Sequence, residues 1–191
     1  MTHISIIGSG NMGQAIAAIA SKGGNTVELF GQSDADKTVT GDLVVLAVPY
    51  PAVADVVAKR ADQLAGKVVV DITNPLNFET FDSLTVPADG SAAAEIAAAL
   101  PQSRVLKAFN TNFAATLASG TVGAVPTTVL IAGDDADAKA LLAEVVTAGG
   151  VHAVDAGALS RARELEAVGF LQLTLAVGEK VSWTGGFGII A

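Results

Sequence analysis

Three glycines, Gly8, Gly10 and Gly13, sit in the run GSGNMG between an apolar stretch ending at Ile7 and an apolar-periodic stretch beginning at Asn11. A strand entering a helix through such a turn has few alternative folds. Gly8 permits the tight turn, Gly10 lets backbone amides approach a pyrophosphate, and Gly13 lets helix and strand pack closely. The helix N-terminus then faces the phosphates. The spacing alone is a weak signal in a chain with 20 glycines. Its place between a strand and a helix is what points to dinucleotide binding rather than to a ligand-free glycine turn.

The rest of the chain continues the alternation. Strands are expected at residues 3–7, 26–30, 43–48, 67–72, 104–109, 127–132 and 151–155. Helices are expected at residues 11–23, 51–64, 91–100, 134–148 and 159–180, with an irregular polar segment at 74–90 and a Gly-rich tail at 185–191. Met12, Ala15, Ile16, Ile19 and Ala20 carry the helical period of the first helix. The run LVVLAV at residues 43–48 is apolar throughout, as a parallel strand buried on both faces requires. Strand–helix alternation implies an α/β fold with a Rossmann-type, doubly wound, mostly parallel sheet and a C-terminal helix. Residues 1–157 are expected to form the NAD(P)-binding domain. Residues 158–191 supply the helix and tail that pack on it or on a dimer partner.

Composition narrows the partners. A net charge of −8 argues against nucleic acid and against an anionic membrane surface. The absence of cysteine removes thiolate chemistry and thiolate metal sites, and no metal is called for. No apolar run reaches the roughly 18–20 residues that span a bilayer. Without a signal-peptide pattern at the N-terminus, a cytoplasmic location is expected.

In doubly wound sheets, ligands sit beyond the C-terminal strand ends. Those ends here read VPYPA (48–52), DITNPL (71–76) and KAFNTN (107–112). Each puts polar or proline-fixed residues after a buried strand. Asn and Pro also favour ordinary turns, but three such ends beside the glycine turn favour a site.

The set GSGNMG, AVPYPA, DITNPL, KAFNTNFA and RARELEAVGFLQL resembles the F420H2:NADP oxidoreductases, over nearly the whole chain. The resemblance implies a homodimer in which hydride passes directly between NADP(H) and a stacked deazaflavin, coenzyme F420, or a flavin-like acceptor. It implies that Ser9, Asn11 and Met12 join Gly8, Gly10 and Gly13 in the pyrophosphate loop. It places Val48 and Pro49 by the nicotinamide ribose, Asn74 and Pro75 nearby, and Gln32, Ser33 and Lys37 at the 2′-phosphate. The chain departs from the family in two ways. The arginine that usually follows the second strand's glycine is missing. Residues 32–42 are also too few for a helix and a strand, so one βα unit is shortened away.

At the end of the second strand, Gly31 stands where an NAD-selective carboxylate would. Gln32 and Ser33 can donate hydrogen bonds and Lys37 can supply charge, with nothing in the stretch set to repel a 2′-phosphate. NADP(H) is therefore expected over NAD(H), with modest selectivity.

No acid–base pair stands out. His3 and His152 start strands, at the far edge of the sheet from the site. Tyr50 lies in the right loop, where its ring serves as a packing surface for the nicotinamide. Lys107 and Asn110 are candidates for the acceptor. Arg104, Arg161 and Arg163 are further cations for its anionic tail, unless the last two pair with Glu164 and Glu166. The scarcity of acids and bases suits transfer between stacked rings better than carbonyl reduction. Two alternatives stand beside that reading: a reductase of a small carbonyl or imine, and a dinucleotide-binding regulator without turnover.

Overall fold

The computed structural model describes residues 1–190, so Ala191 of the tail lies outside the described residues. Strand β1 (His3–Ile7) leads through the glycine turn into α1 (Asn11–Lys22), followed by β2 (Thr26–Phe30). The chain continues through β3 (Leu43–Leu46), α2 (Tyr50–Leu64), β4 (Val68–Asp71), α3 (Ala92–Ala99) and β5 (Arg104–Lys107). The second half runs α4 (Ala114–Ser119), β6 (Thr121–Val122), β7 (Val125–Pro126), β8 (Thr128–Gly133), α5 (Ala136–Ala148), β9 (His152–Gly157) and α6 (Ala162–Val177).

Seven strands form one sheet in the order β2-β1-β3-β4-β5-β8-β9, while β6 and β7 pair separately. The seven-stranded sheet is parallel except where β8 meets β5. Strands β3 and β4 are buried at every position because helices cover both faces. Leu43, Val45, Val68 and Val70 pack with Ile16 and Ile19 of α1 and Leu142 of α5. Their neighbours Val44, Leu46 and Val69 point the other way, onto Val53 and Val57 of α2 and Ile96 of α3. This is the expected doubly wound α/β architecture.

From β1 the chain passes to β2 on one side and then crosses to β3 on the other. That reversal makes the C-terminal end of β1 a switch point, and the glycine turn occupies it. Between β2 and β3 stands only a single 3-10 turn, Gln32–Asp34, in place of a helix and strand. The shortened unit leaves β2 as a sheet edge.

Two local features depart from expectation. The C-terminal helix is broken: residues Leu159–Arg161 form a 3-10 turn, and α6 ends at Val177. Helix α4 and the β6–β7 hairpin were not foreseen, since six helical residues and two-residue strands are too short for periodicity to register. The tail folds back on its own chain. The Trp183 ring packs against Phe113 at a tilt of 54°, with centroids 5.0 Å apart, and the Phe187 N–H donates to Gln172 Oε1 at 2.8 Å.

Candidate functional site

Two clefts flank the glycine turn at the C-terminal edge of the sheet. The first, of about 510 Å³, is lined by Gly8, Ser9, Gly10, Phe30, Gly31, Gln32, Val48, Pro49, Lys59 and Arg60, among others. The second, of about 420 Å³, is lined by Asn11, Met12, Asn74, Phe109, Asn110, Asn112, Phe113 and Trp183, with Ile72, Ala114, Ala115 and Leu173. Residues 8–12 therefore form the wall between them.

The turn is built for an anion. A Cβ on Gly13 would stand 1.9 Å from the Gly8 carbonyl oxygen, so only glycine lets α1 pass this close to the turn. A Cβ on Gly10 would meet nothing within 4 Å, which leaves an open surface over the first amides of α1. No side chain caps that N-terminus and no acid lies in its first turn. The positive end of the helix dipole is thus left for a ligand. These are the features a pyrophosphate requires.

Beyond β2, the sequence-derived residues spread out. Gln32 lines the first cleft. Ser33 is exposed on the 3-10 turn. Lys37 is directed at Asp34, with Nζ 2.7 Å from Oδ1. Asp34 Oδ2 accepts the Gly31 N–H at 2.9 Å. Lys37, and then that backbone hydrogen bond, hold the Asp34 carboxyl below its ordinary value.

Arg60 of α2 anchors the whole segment. It is buried, donates to the carbonyls of Asp34, Ala35 and Lys37, and lies over the Phe30 ring at 5.5 Å. It was missed in the sequence, although a signal existed. Arg60 occupies the buried stripe Val53, Val57, Arg60, Leu64, where a lone cation calls for a partner.

Around the second cleft, the strand ends are cross-linked. Asn74 Nδ2 donates to the Asn110 carbonyl at 2.9 Å, and Asn110 Nδ2 donates to Asn74 Oδ1 at 3.0 Å and to the Leu165 carbonyl at 2.8 Å. Gly169 lets α6 approach this pair, since a Cβ there would lie 2.3 Å from Asn74 Oδ1. Phe109 adopts a left-handed backbone, φ 62°, at the cleft wall. Non-glycine residues hold that conformation only where their surroundings enforce it, and such residues cluster at functional sites. Pro75 is buried behind the wall and lines neither cleft.

Two candidates are corrected. Lys107 has no exposed surface. Its Nζ lies 2.7 Å from Asp71 Oδ2, 2.8 Å from Glu166 Oε1 and 2.6 Å from the Thr73 carbonyl, so no donor is left for an acceptor. Glu166 also accepts the Ala92 N–H at 2.9 Å and the Ala93 N–H at 3.3 Å, which ties α6 to the start of α3. Tyr50, the first residue of α2, turns its hydroxyl to Glu95 and lines a groove between α2 and α3 instead of either cleft. Burial, and then the Glu95 hydrogen bond, raise its pKa.

The cations proposed for an acceptor tail are also placed elsewhere. Arg104 stands at the N-terminal end of β5, away from the clefts. Arg161 and Arg163 both face Glu164, at 3.9 and 2.5 Å. His3 lies 3.5 Å from Glu28, and His152 is exposed at the start of β9.

The switch-point turn, the two clefts and the doubly wound sheet define a Rossmann-type dinucleotide-binding protein. Residues 29–75 match the family model described as NADP oxidoreductase, coenzyme F420-dependent. The chain is 30% identical over 171 residues to the F420-dependent NADP reductase of Methanocaldococcus jannaschii, covering 87% of this chain and 76% of that protein. It is 32% identical over 191 residues to the enzyme of the same name from Methanothermobacter thermautotrophicus, covering 94% and 82%. A crystal structure from Arthrobacter sp. FB24 has the same fold, with a TM-score of 0.88 at 23% identity over 100% of both chains. The chain belongs to the F420-dependent NADP reductase family.

Proposed function

We propose that this protein is an NADP(H)-dependent oxidoreductase that passes hydride between the nicotinamide and a ring acceptor, coenzyme F420 or a flavin. The observation that carries this reading is the lining of the second cleft. Its side chains are Asn, Phe, Met, Ile, Leu, Ala and Trp, and none of them titrates. Reduction of a carbonyl or imine needs a positioned proton donor. Transfer between two stacked rings needs chiefly alignment and a shaped, apolar wall.

The amides and side chains of residues 8–13 would hold the pyrophosphate. Gln32, Ser33 and Lys37 would hold the adenosine end, with Val48 and Pro49 along the path to the nicotinamide and Asn74 beyond. When bound, the dinucleotide supplies the hydride. Trp183, with Phe113 packed against it, presents apolar and aromatic surface to the acceptor, and the Asn74–Asn110 cross-link fixes the facing strand ends. With no titratable side chain lining the cleft, the proton that completes the reduced acceptor would come from solvent. We further propose that the protein works in the cytoplasm as a homodimer.

The test is NADPH oxidation against F420, FMN and a panel of carbonyls and imines, with the single tryptophan, Trp183, as a binding reporter. Turnover with F420 or FMN is expected, together with a change in Trp183 emission as the acceptor binds. Turnover confined to carbonyls or imines overturns the acceptor class. NADPH binding without turnover of any acceptor makes the chain a nucleotide-binding regulator.

A further inference from the structure

In this fold class, the residue at the tip of the second strand, here the one just after it, decides between a free ribose and a 2′-phosphate. Gly31 occupies that position, yet the position does not lack a carboxylate. A Cβ built on Gly31 would lie 3.7 Å from Asp34 Oδ2 and 3.4 Å from Ser9 Oγ. The Asp34 carboxylate therefore stands beside Gly31, on the same side as the glycine turn. The 3-10 turn brings it there, and Asp34 Oδ2 accepts the Gly31 N–H at 2.9 Å. Arg60 fixes the turn through three backbone carbonyls, so the placement is built in from α2.

The consequence is competition. The Gly31 N–H and the Lys37 ammonium are two donors that a 2′-phosphate would use. Asp34 holds both, one on each oxygen. A phosphate must displace the carboxylate or lie against it as a like charge. A ribose hydroxyl meets neither obstacle and gains an acceptor.

We propose that Asp34 is the specificity-determining residue of the nucleotide site, reading the free ribose hydroxyl and opposing a 2′-phosphate, so that the protein accepts NADH alongside NADPH. The proposal rests on the dinucleotide-binding reading above. It is independent of which acceptor is used.

The experiment is calorimetric titration of NADPH and NADH, and of 2′-phospho-ADP and ADP, into the parent, Asp34→Asn, Asp34→Ser and Lys37→Ala. Asn retains an oxygen for the Gly31 N–H and removes only the charge, and thermal melts confirm folding. The parent is expected to bind NADH within about tenfold of NADPH. Both Asp34 variants are expected to shift the ratio toward the phosphorylated nucleotide by about tenfold, and Lys37→Ala to shift it the other way. An unchanged ratio in both Asp34 variants, or a shift toward NADH, overturns the proposal. A parent that binds neither nucleotide overturns the dinucleotide reading and the proposal with it. The expected shift without F420 turnover supports the proposal and removes only the acceptor assignment.

Discussion

A lysine with no exposed atom must be neutralised from every side, and Lys107 is met by Asp71, Glu166 and a carbonyl. Replacing it with Met would strand two buried carboxylates. Lys107→Met is expected to cost about 3–5 kcal/mol in urea denaturation; a loss within error would mean that the site collapses around water. Glu166 adds a pH dependence. Burial lifts its carboxyl above 4.5, against the pull of Lys107. The folded chain thus holds that proton more tightly than the unfolded chain does. The resulting stabilisation is complete below about pH 4.5 and fades as pH rises through the folded value. Glu166→Gln has no proton to lose there, so its stability deficit against the parent should narrow from mild acid to neutral pH. Denaturation curves across that range check the sign. Part of this was legible in the sequence. The runs VVVD and RVLK each end in a charge, and β4 and β5 pair with Asp71 opposite Lys107. What one strand's pattern cannot give is the face each charge takes, nor that α6 returns a carboxylate 59 positions later in the chain.

At the scale of elements, the segment between β2 and β3 shows how a deletion is made good. Its shortness could be read directly, because 11 residues cannot hold a helix and a strand. Its conformation could not, because the clamp comes from α2, more than twenty residues away. Arg60→Ala leaves three carbonyls without that donor and Phe30 without its cation. We expect a loss of roughly 2–3 kcal/mol, since hydrogen bonds from a charged donor are being removed. Amide exchange over residues 31–40 should rise selectively. Uniform acceleration across the sheet would mean instead that Arg60 supports the global fold. Helix α4 and the β6–β7 hairpin escaped the sequence for a different reason: they are held by contacts such as Thr127 Oγ1 on the Thr116 carbonyl at 2.7 Å, not by an apolar period of their own.

For the whole molecule, the doubly wound sheet and its two-sided core followed from continuous apolar strands alternating with amphipathic helices, whereas the order of strands and the reversed β8 did not. The surface did not. Leu171 and Val177 of α6 are 51% and 45% exposed, and Trp183, Phe187 and Ile190 of the tail add 51%, 40% and 85%. Large apolar side chains mark an association surface where they form one contiguous patch. Sedimentation is expected to give a dimer for the parent and a monomer for Leu171→Asp. A monomeric parent at micromolar concentration would remove the homodimer from the proposed function.

The missing βα unit has one more consequence, at the margin of the sheet. Strand β2 ends the sheet with a row of unpaired backbone donors and acceptors, the kind of edge that recruits strands from other chains. Glu28 sits in the middle of that strand, its Oε2 receiving Thr40 Oγ1 at 2.8 Å and Ser5 Oγ at 3.3 Å. A stacked copy would bring a second carboxylate against the first. A charged residue within an edge strand is one of the devices that discourage such pairing, and here it falls where the shortened unit opened the sheet.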